Sequence, residues 1–554
     1  MIKQKSNSII MGLMIAMTNN QHDSAACFLS NGEVLGCYEE ERYVRYKHAY
    51  GHLPIYSISA GLKAHNLNIR DISLVAIPTI KHVDLIRRTQ LFLEHYFGYS
   101  PQIVPVNHQL SHLASAFYPS GFKESILISA DGQGDFESLA LGVGQLNGTV
   151  SGGKRSREGG IKILETKGID QSLGIFYQTL TQYLGFSGAG DEYKVMGLSA
   201  YGNSGTVNLE SIIQIGPTDY NINPEYLQRD PVSRNLSEPR FGELLIKEFG
   251  PARVKGEPLT QNNRDFARAI QDNFEKALIS TVQKLHERTG INRLGLAGGC
   301  ALNCLTNMKI LDLPFIDEIF IQPASTDQGS ALGAAQMVSL DLGIEPKPIE
   351  NYFLGSSYTE NEILENLKLS RVPFKYCNDV PYQAAKCLNK NRIIAIHNGR
   401  SEFGPRALGN RSILANPAVA DIRDQINRRI KFREEFRPFA PAILGEKYGE
   451  VFDARSSNPF MTVTSRVLEN WKSKIPGVTH VDGTARAQAV WRNHNSRFYD
   501  LIHEFYKLSG VPLVINTSFN VMGEPIVETP MDAIRTFYGS GLDDLFIGNY
   551  HLTK

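Results

Sequence analysis

Two histidines, His108 and His112, stand four residues apart in the segment Asn107-His-Gln-Leu-Ser-His-Leu-Ala-Ser-Ala. The segment is a plausible helix, and this spacing then places both imidazoles on one face, one turn apart, as two ligands of a divalent transition metal require. Taken alone, such a pair is more often a solvated or capping pair than a ligand pair. A metal site is therefore expected only if further ligands accompany the histidines.

Two aspartates supply the further ligands. Asp131 stands at the end of a strand-like run just after the histidines, and Asp327 opens a loop much later in the chain. Each could also be an ordinary turn or N-cap residue. Two imidazoles and two carboxylates leave open positions on an octahedral ion, which suits Fe(II), Mn(II), Zn(II) or Mg(II) in contact with a substrate or phosphate oxygen. Together the four residues predict a divalent metal site.

His22 and Asp23 form a further candidate pair in a polar loop after the first apolar run. A neutral imidazole near pH 7 can take a proton from an attacking hydroxyl group. Without a surrounding site, His22 would be an unremarkable loop histidine. We expect His22 to act as a general base, with Asp23 beside it.

Basic residues are concentrated near the C-terminus. Guanidinium groups bind phosphate and carboxylate through paired hydrogen bonds, so a pocket that collects several of them predicts an anionic substrate. Scattered surface ion pairs are the alternative for any single arginine. The candidate residues are Arg406, Arg411, Lys431, Arg433, Arg437 and Arg486, together with the polar residues Asn516, Ser518 and Asn520.

The strands and loops that carry several of these residues follow a pattern that occurs twice in the sequence. The run Ile9–Met17, a polar loop, the run Ala25–Leu29, an Asn31-Gly32 turn and the run 34–37 predict strand, loop, strand, hairpin and strand. The segment 126–148, with Asp131-Gly132 in its loop and a turn at Asn147-Gly148, repeats the pattern. Two such units are the core of the actin-like ATPase fold, in which glycine-containing loops grip nucleotide phosphate. A chance pair of hairpins is the alternative.

Further elements complete two predicted domains. A helical periodicity begins near residue 265, and a short strand then leads into Gly298-Gly299 and Asn303, which is typical of an anion or adenosine cradle. The segment 343–348 reads as a linker, so we expect domains at 1–345 and 346–554. Strands such as Ile393–Ile396 that end in polar clusters predict an α+β second domain. An exposed loop is expected at 152–160, and a lid or substrate-binding insertion at 217–239.

Composition limits the class of protein. A chain of 554 residues is longer than a single hydrophobic core usually supports, so more than one domain is expected. It has 57 basic and 57 acidic residues, so no net charge attracts it to nucleic acid or to an anionic membrane. Six cysteines without paired short spacings favour a reducing compartment, so the cytoplasm is expected. The apolar run that follows Lys3 and Lys5 is read as a buried strand rather than a signal peptide, and no run approaches the length of a membrane span.

Several motifs jointly resemble one family. The chain is similar to the carbamoyltransferases that include the nodulation-factor, cephamycin and aminoglycoside O-carbamoyltransferases, over nearly its whole length. The motifs that carry the resemblance are His22-Asp23, Glu39-Glu40-Glu41-Arg42, the His108/His112 pair, Asp131-Gly132, Gly190 to Leu198, Gly298 to Asn303, Gly404-Pro405-Arg406-Ala407-Leu408-Gly409, Phe436 to Pro441 and Asn516 to Asn520.

This resemblance implies a fold and a mechanism. The fold is α/β and α+β: an N-terminal duplicated actin-like (ASKHA) domain, similar to the transferase of tRNA threonylcarbamoylation, followed by a YrdC-like domain. In the second domain, carbamoyl phosphate and ATP would yield carbamoyl adenylate, held by the basic and polar residues named above. The intermediate would then pass internally to the first domain, where Gly132, Lys194, Gly298, Gly299 and Asn303 would bind its nucleotide part. His22 would activate the acceptor hydroxyl.

Three other functions account for fewer of these features. An actin-like kinase would explain Asp131-Gly132 and the glycine pair, but would give neither the His108/His112 pair nor the C-terminal arginines a role. A nucleotide-switch chaperone should have a peptide-binding β domain that the sequence does not indicate. The neutral charge disfavours a tRNA-binding role. The expected acceptor is a hydroxyl group on a sugar or natural product, as in antibiotic or other secondary-metabolite biosynthesis, and homodimerisation is left open.

Overall fold

The protein is described by a computed structural model. It covers residues 8–18, 21–146, 160–187, 190–227 and 241–554, and of Val83 only the backbone. The chain forms two compact units. The first comprises the described residues up to 35 together with 51–54 and 66–349, and the second comprises 36–50, 55–65 and 350–554.

The helices and strands occupy the following ranges in the described part of the chain. The strands are β1 Ile9–Met14, β2 Ala25–Ser30, β3 Glu33–Glu39, β4 Ile72–Ile77, β5 Gln102–Pro105, β6 Glu124–Gly134, β7 Glu137–Gln145, β8 Ile161–Gly168, β9 Ile213–Ile215, β10 Tyr220–Ile222, β11 Arg293–Ala297, β12 Glu318–Ile321, β13 Lys375–Tyr376, β14 Ile394–His397, β15 Arg411–Ala415, β16 Ala440–Leu444, β17 Ser465–Arg466, β18 Thr484–Ala485, β19 Gln488–Val490, β20 Leu513–Ser518, β21 Asp544–Ile547 and β22 Tyr550–Thr553. The helices are α1 Glu40–Val44, α2 Ile55–Ala64, α3 Val83–Phe97, α4 His108–Ser120, α5 Leu173–Tyr183, α6 Glu192–Leu198, α7 Glu243–Phe249, α8 Gln261–Thr289, α9 Cys304–Leu311, α10 Asp327–Asp341, α11 Glu360–Leu369, α12 Val380–Asn389, α13 Ile422–Ile426, α14 Tyr448–Val451, α15 Glu469–Lys472, α16 Ser496–Ser509 and α17 Pro530–Tyr538.

Two five-stranded sheets of the same design form the first unit. Their strand orders are β3-β2-β1-β4-β5 and β12-β11-β6-β7-β8. In each sheet an antiparallel run leads to two parallel strands, because β1 pairs with β4 and β6 pairs with β11 in parallel. This duplication confirms the predicted actin-like α/β fold. The predicted second Asn147-Gly148 turn lies outside the described residues.

Small residues allow the two helices that carry the metal candidates to pack closely. A Cβ atom on Gly333 of α10 would lie 1.8 Å from the carbonyl oxygen of Ser111 in α4. On the other side of α10, a Cβ on Gly12 of β1 would lie 1.9 Å from the Ala331 carbonyl oxygen. Helix α10 is therefore fixed between α4 and β1, and any larger side chain at either glycine would push it away.

The second unit is built on an eight-stranded mixed sheet. Its strand order is β13-β22-β21-β14-β15-β20-β16-β19. Strands β14, β15, β20 and β16 are joined by antiparallel pairing, whereas β14 pairs with β21 in parallel. Apolar clusters cover both faces of the sheet, for instance Ile413 and Ile515 on one face and Leu414 and Val514 on the other. The predicted α+β character is thus confirmed, while similarity to YrdC stays a prediction.

Most predicted elements are present. The histidine segment is helix α4, the periodic tract near residue 265 is α8, and the strands before the glycine pair and the C-terminal asparagine cluster are β11 and β20. The second unit resumes at residue 350, shortly after the predicted boundary, and also includes residues 36–50 and 55–65. The predicted loop 152–160 lies outside the described residues except for Gly160. Of the segment 217–239, only residues up to 227 are described, with β10 paired to β9.

Neither membrane spans nor disulfide bonds were found in the described residues. Among their helices, none combines the length and the apolar character that crossing a bilayer requires. All six cysteines are free thiols.

Candidate functional site

Four side chains converge in the first unit. The Nε2 atom of His108 lies 3.5 Å from Asp131 Oδ2 and 3.6 Å from Asp327 Oδ1. The Nε2 atom of His112 lies 3.7 Å and 3.6 Å from the same two oxygens, and 3.1 Å from His108 Nε2. All four donor atoms lie within 4.8 Å of one another. We call these four residues the metal cluster.

The topology explains this convergence. Asp131 follows the paired part of β6 and Asp327 begins α10 soon after β12, so both aspartates come after parallel strands of one sheet, with β11 between the two strands. The carboxyl ends of parallel strands meet at one edge, which is where α/β proteins place their sites. Both histidines come from the first turns of α4, which the Asn107 side chain caps at the Leu110 amide.

One histidine is oriented by the backbone. Nδ1 of His108 lies 3.2 Å from the Pro78 carbonyl oxygen, which accepts a hydrogen bond only if Nδ1 carries the proton. That tautomer leaves Nε2 with a free lone pair toward the metal cluster. Hydrogen bonding of the second ring nitrogen to a carbonyl is typical of histidines that bind metals.

The electrostatics of the cluster suit a cation. Burial lowers the pKa of His112, but hydrogen bonds and charge from Asp131 and Asp327 outweigh burial and raise it to about 9. Burial raises the pKa of Asp131, yet the two imidazoles hold it well below its usual value. Two carboxylates that face two Nε2 atoms in a buried space form a donor set that a divalent ion would neutralise and bridge. The residues present therefore fit a divalent metal.

The glycine-pair loop is joined to this cluster. The Gly299 amide donates to Asp131 Oδ1 at 3.1 Å, while Asp131 Oδ2 faces the histidines. Gly298 has φ +86°, and a Cβ there would lie 2.2 Å from the Ala130 carbonyl oxygen. Only glycine permits both this backbone conformation and this approach. At Gly132, by contrast, a Cβ would meet open space.

Asn303 and Lys194 have partners within the protein. The Asn303 side chain caps α9 at the Thr306 amide, and it exchanges hydrogen bonds with Gln271 at 2.9 and 3.0 Å. Lys194 lies in α6 and pairs with Asp191 at 3.1 Å. Asn303 thus fixes the end of the glycine-pair loop. The contacts of Asn303 and Lys194 with nucleotide stay predictions.

His22 lies against Asp23 as the sequence suggested. Its Nδ1 is 3.1 Å from Asp23 Oδ2, and the imidazole is 39% exposed while the carboxylate is 4% exposed. Burial lowers the pKa of His22, but Asp23, with Asp327 and Asp131 further away, raises it to about 10. Because the imidazole is partly exposed, solvent weakens this shift. The pair is placed to hold a proton near the metal cluster.

A second polar cluster lies in the second unit. The Lys431 ammonium donates to Asn520 Oδ1 at 2.7 Å and contacts Ser518 Oγ at 3.3 Å. Burial, with Arg433 and Arg437 nearby, holds the pKa of Lys431 well below its usual value. Arg433 and Arg437 thus oppose protonation of Lys431, and an anion bound beside the three side chains would favour its charged form.

The remaining C-terminal candidates differ in their surroundings. Arg411 is fully buried, and its guanidinium donates to main-chain carbonyls, including those of Asn398 and Gly399. Asn516 donates to Gln488 Oε1 and to the Ala407 carbonyl oxygen. Arg406 and Arg486 are partly buried. Within the described residues, the buried Nε of Arg486 meets no hydrogen-bond acceptor. An orphaned buried donor of this kind is expected where an anionic ligand binds.

Comparisons with known proteins establish the family. Residues 98–336 match the model of the carbamoyltransferase N-terminus, and residues 385–554 match that of the carbamoyltransferase C-terminus. The nodulation protein NolNO of Sinorhizobium fredii is 36% identical over 96% of this chain and 79% of its own length. The chain belongs to the carbamoyltransferase family. It is an enzyme that transfers carbamoyl groups.

Other relatives of this carbamoyltransferase agree with that assignment. The nodulation protein NolO of Bradyrhizobium diazoefficiens is 39% identical over 81% of this chain and 79% of its own length. Solved structures are more distant. Full-length HypF in its phosphate- and nucleotide-bound form is 14% identical, with a TM-score of 0.36, over 61% of this chain and 56% of HypF.

One residue of this carbamoyltransferase that the sequence did not single out lies behind the metal cluster. Asp135 is buried, and its Oδ2 accepts the His108 backbone amide at 3.0 Å. Its carboxylate also accepts the amides of Ile80 and Lys81 and the hydroxyl of Thr79. Sequence reasoning assigns Asp135 no role, because nothing local shows which amides it reaches.

A buried ionic group in the second unit was also missed. Arg42 Nε donates to Glu39 Oε2 at 2.8 Å, and Arg42 Nη2 donates to the Gly404 carbonyl oxygen at 2.6 Å. Nearby, Glu402 Oε1 accepts the amides of Leu408, Asn410 and Arg411 at 2.8, 2.8 and 3.1 Å. These contacts hold the loop that carries Arg406. The Glu39-to-Arg42 motif was the available signal, but its partner lies more than 350 residues away.

Proposed function

We propose that this carbamoyltransferase is an ATP-dependent O-carbamoyltransferase that acts through carbamoyl adenylate. In the second unit, carbamoyl phosphate, ATP and water give carbamoyl adenylate, pyrophosphate and phosphate. In the first unit, the hydroxyl oxygen of a small-molecule acceptor bonds to the carbamoyl carbon, the bond to AMP breaks, and the hydroxyl proton is taken up by a base. The acceptor is a sugar or another natural product.

The convergence of the metal cluster beside the glycine-pair loop is the main support for this proposal. A divalent ion held by His108, His112, Asp131 and Asp327 would, when bound, supply Lewis-acid polarisation of a carbonyl oxygen. Asp131 contacts both this cluster and the Gly299 amide. An adenylate bound at the glycine-pair loop would therefore have its reactive carbonyl within reach of the cluster.

The chain's own residues provide the remaining functions. Arg433 and Arg437 offer positive charge for phosphate groups, and Lys431 adds to that charge when it is protonated. His22, next to Asp23, is placed to receive the proton of the acceptor hydroxyl. Burial lowers the pKa of His22 and Asp23 is the main group that raises it, so the proton on His22 is held chiefly by Asp23, while Asp327 and Asp131 of the metal cluster add less. An ATP-dependent reaction and six free thiols favour a cytoplasmic location.

The product of ATP distinguishes this function from a kinase. Purified protein with ATP, carbamoyl phosphate and a divalent metal should form AMP and pyrophosphate, and should catalyse exchange of labelled pyrophosphate into ATP that depends on carbamoyl phosphate. ADP as the nucleotide product would instead indicate an actin-like kinase. Mass measurement of candidate hydroxyl compounds for a gain of one carbamoyl group identifies the acceptor.

Three variants separate the two half-reactions. Arg437→Ala should abolish pyrophosphate exchange, whereas Arg492→Ala, an arginine that is 68% exposed, should not change it. His22→Ala should retain exchange and lose transfer. His112→Ala should lose bound metal, measured by elemental analysis, and keep exchange. Loss of exchange in all three would contradict the division of labour.

A further inference from the structure

An aromatic side chain is held exposed beside the metal cluster. Phe136 is 63% exposed and has φ +68°, and the residue before it, Asp135, has φ +53°. A bulky residue with positive φ is a rare and strained conformation. Exposure removes the packing gain that usually offsets such strain. Glycine would remove the strain, so the phenyl ring at this position calls for a reason other than stability.

An exposed imidazole lies next to this ring. The imidazole of His82 lies 5.9 Å from the Phe136 ring, measured between centroids, at an interplanar angle of 40°. Ile80 is 44% exposed, and its backbone amide donates to the carboxylate of Asp135, the residue before Phe136. We call Ile80, His82 and Phe136 the apolar rim.

Asp135 connects the apolar rim to the metal cluster. Its carboxylate accepts the amides of Ile80 and His108, at 3.0 Å in each case. Gly134 packs so closely that a Cβ there would lie 2.0 Å from the His108 ring. The loop that presents Phe136 therefore lies directly against a metal-cluster residue. Because one buried carboxylate fixes both parts, the rim has a defined position relative to the cluster.

We propose that the apolar rim binds the acceptor, and that the acceptor is a cyclic compound with an apolar ring face. This inference rests on the proposed function. Aromatic side chains pack well against the C–H face of a polyhydroxylated ring while its hydroxyl groups remain free to react or to hydrogen-bond. Such stacking is lost with an acyclic polyol, which presents no flat face. The rim would thus favour ring compounds and leave one hydroxyl directed to the cluster.

The test measures carbamoylation of cyclic and acyclic acceptors by the wild type and by variants of Phe136. The probes are methyl β-D-glucopyranoside, chitotetraose and sorbitol, with carbamoylated product measured by mass. The wild type should carbamoylate at least one of the two ring compounds in preference to sorbitol. Phe136→Gly should raise the KM for that acceptor roughly five- to ten-fold, with kcat nearly unchanged and a melting temperature equal to or above that of the wild type. Phe136→Tyr should restore the wild-type KM.

The control is another exposed aromatic residue. Tyr376 is 62% exposed in the second unit, and Tyr376→Ala should leave the acceptor KM unchanged. An unchanged KM in Phe136→Gly, a preference for sorbitol, or failure to carbamoylate either ring compound overturns the inference. Pyrophosphate exchange is measured on the same samples without acceptor. If the wild type lacks this exchange, the proposed function itself fails, and the two failures are distinguishable.

Discussion

The backbone amide of His108 donates a hydrogen bond to Oδ2 of Asp135 at 3.0 Å. The same carboxylate holds the amide of Lys81, in the loop that starts just after Pro78, and the Pro78 carbonyl oxygen receives Nδ1 of His108. Asp135 therefore fixes both the start of the helix that carries His108 and the segment that orients its ring. It is a positioning residue for the metal cluster, which it does not enter.

Asp135→Asn is expected to weaken metal binding. An amide replaces one acceptor oxygen by an NH₂ group, which cannot accept the amides that both carboxylate oxygens now receive. Loss of an outer partner of a metal ligand typically lowers metal affinity by roughly 10- to 100-fold. Calorimetric titration with Mn(II) or Zn(II) measures this affinity, and pyrophosphate exchange should be unchanged.

A matched control for this variant is available in the same unit. Asp265 is buried and accepts the Asn203 backbone amide at 2.8 Å. Asp265→Asn keeps an oxygen that can accept the bonds now made to Asp265 Oδ1, and it should leave metal affinity unchanged. Equal metal affinities in Asp135→Asn and the wild type would show that the His108 amide contact does not position the ligand.

Lys431 is expected to take up a proton when carbamoyl phosphate binds. Burial, with Arg433 and Arg437 nearby, lowers its pKa, and an anion reverses part of that effect. Binding should therefore weaken as pH rises above the pKa of the free protein. Calorimetry in buffers of different ionisation enthalpy measures the uptake, which should disappear in Lys431→Arg because arginine stays charged. Equal uptake in both proteins would assign the proton to another group.

The same lowered pKa affects folding stability. Between the folded and unfolded pKa values of Lys431, the unfolded chain binds more protons, so stability from this group rises with pH. Below the folded pKa, the buried charge is a full cost to the folded state. Lys431→Met should flatten this part of the stability profile, measured by chemical denaturation at several pH values.

Gly333→Ala is expected to damage both stability and metal binding. The new Cβ would lie 1.8 Å from the Ser111 carbonyl oxygen, a main-chain atom that cannot rotate away. Overpacking of this kind costs about 1–3 kcal/mol, and relief requires α10 to move from α4, which carries Asp327 away from the histidines. Gly242→Ala is the control, because its nearest non-neighbouring heavy atom is 4.0 Å away. Unchanged metal affinity in Gly333→Ala would contradict this coupling.

The sequence could predict where a side chain lies when the residue's type and its place in the predicted fold determine that position. Apolar runs separated by a polar loop, with the Asn31-Gly32 turn, predicted the first hairpin, and the repeat of that pattern predicted the duplicated sheets. Once those sheets are assumed, Asp131 and Asp327 must follow strands that end at one edge. Their convergence with His108 and His112 could thus be predicted without coordinates.

The sequence could not show which polar groups already have partners. Arg411 has a side chain of the type that binds anions, yet its guanidinium donates to the main-chain carbonyl oxygens of Asn398, Gly399 and Asn410. Asn303 is bound to Gln271, which lies 32 residues earlier. Asp135 and Glu402 accept amides that only the folded chain brings to them. Hydrogen-bond partners of this kind depend on tertiary structure and leave no local pattern.

Glu402 is expected to control the loop that carries Arg406. One oxygen, Oε1, accepts the amides of Leu408, Asn410 and Arg411, and the side chain is buried. Glu402→Ala would leave three buried amides without acceptors, each at a cost of about 1–3 kcal/mol. The loop should rearrange, with loss of carbamoyl phosphate-dependent pyrophosphate exchange.

Glu402→Gln separates the two possible reasons for that loss. A glutamine oxygen can still accept all three amides, so exchange should be retained within a few-fold if the loop conformation is what matters. If the Glu402→Gln variant were as inactive as the alanine variant, the negative charge facing Arg42 and Arg411 would be the essential property instead. Metal titration serves as the internal control, because the metal cluster belongs to the other unit and should bind its ion equally well in both variants.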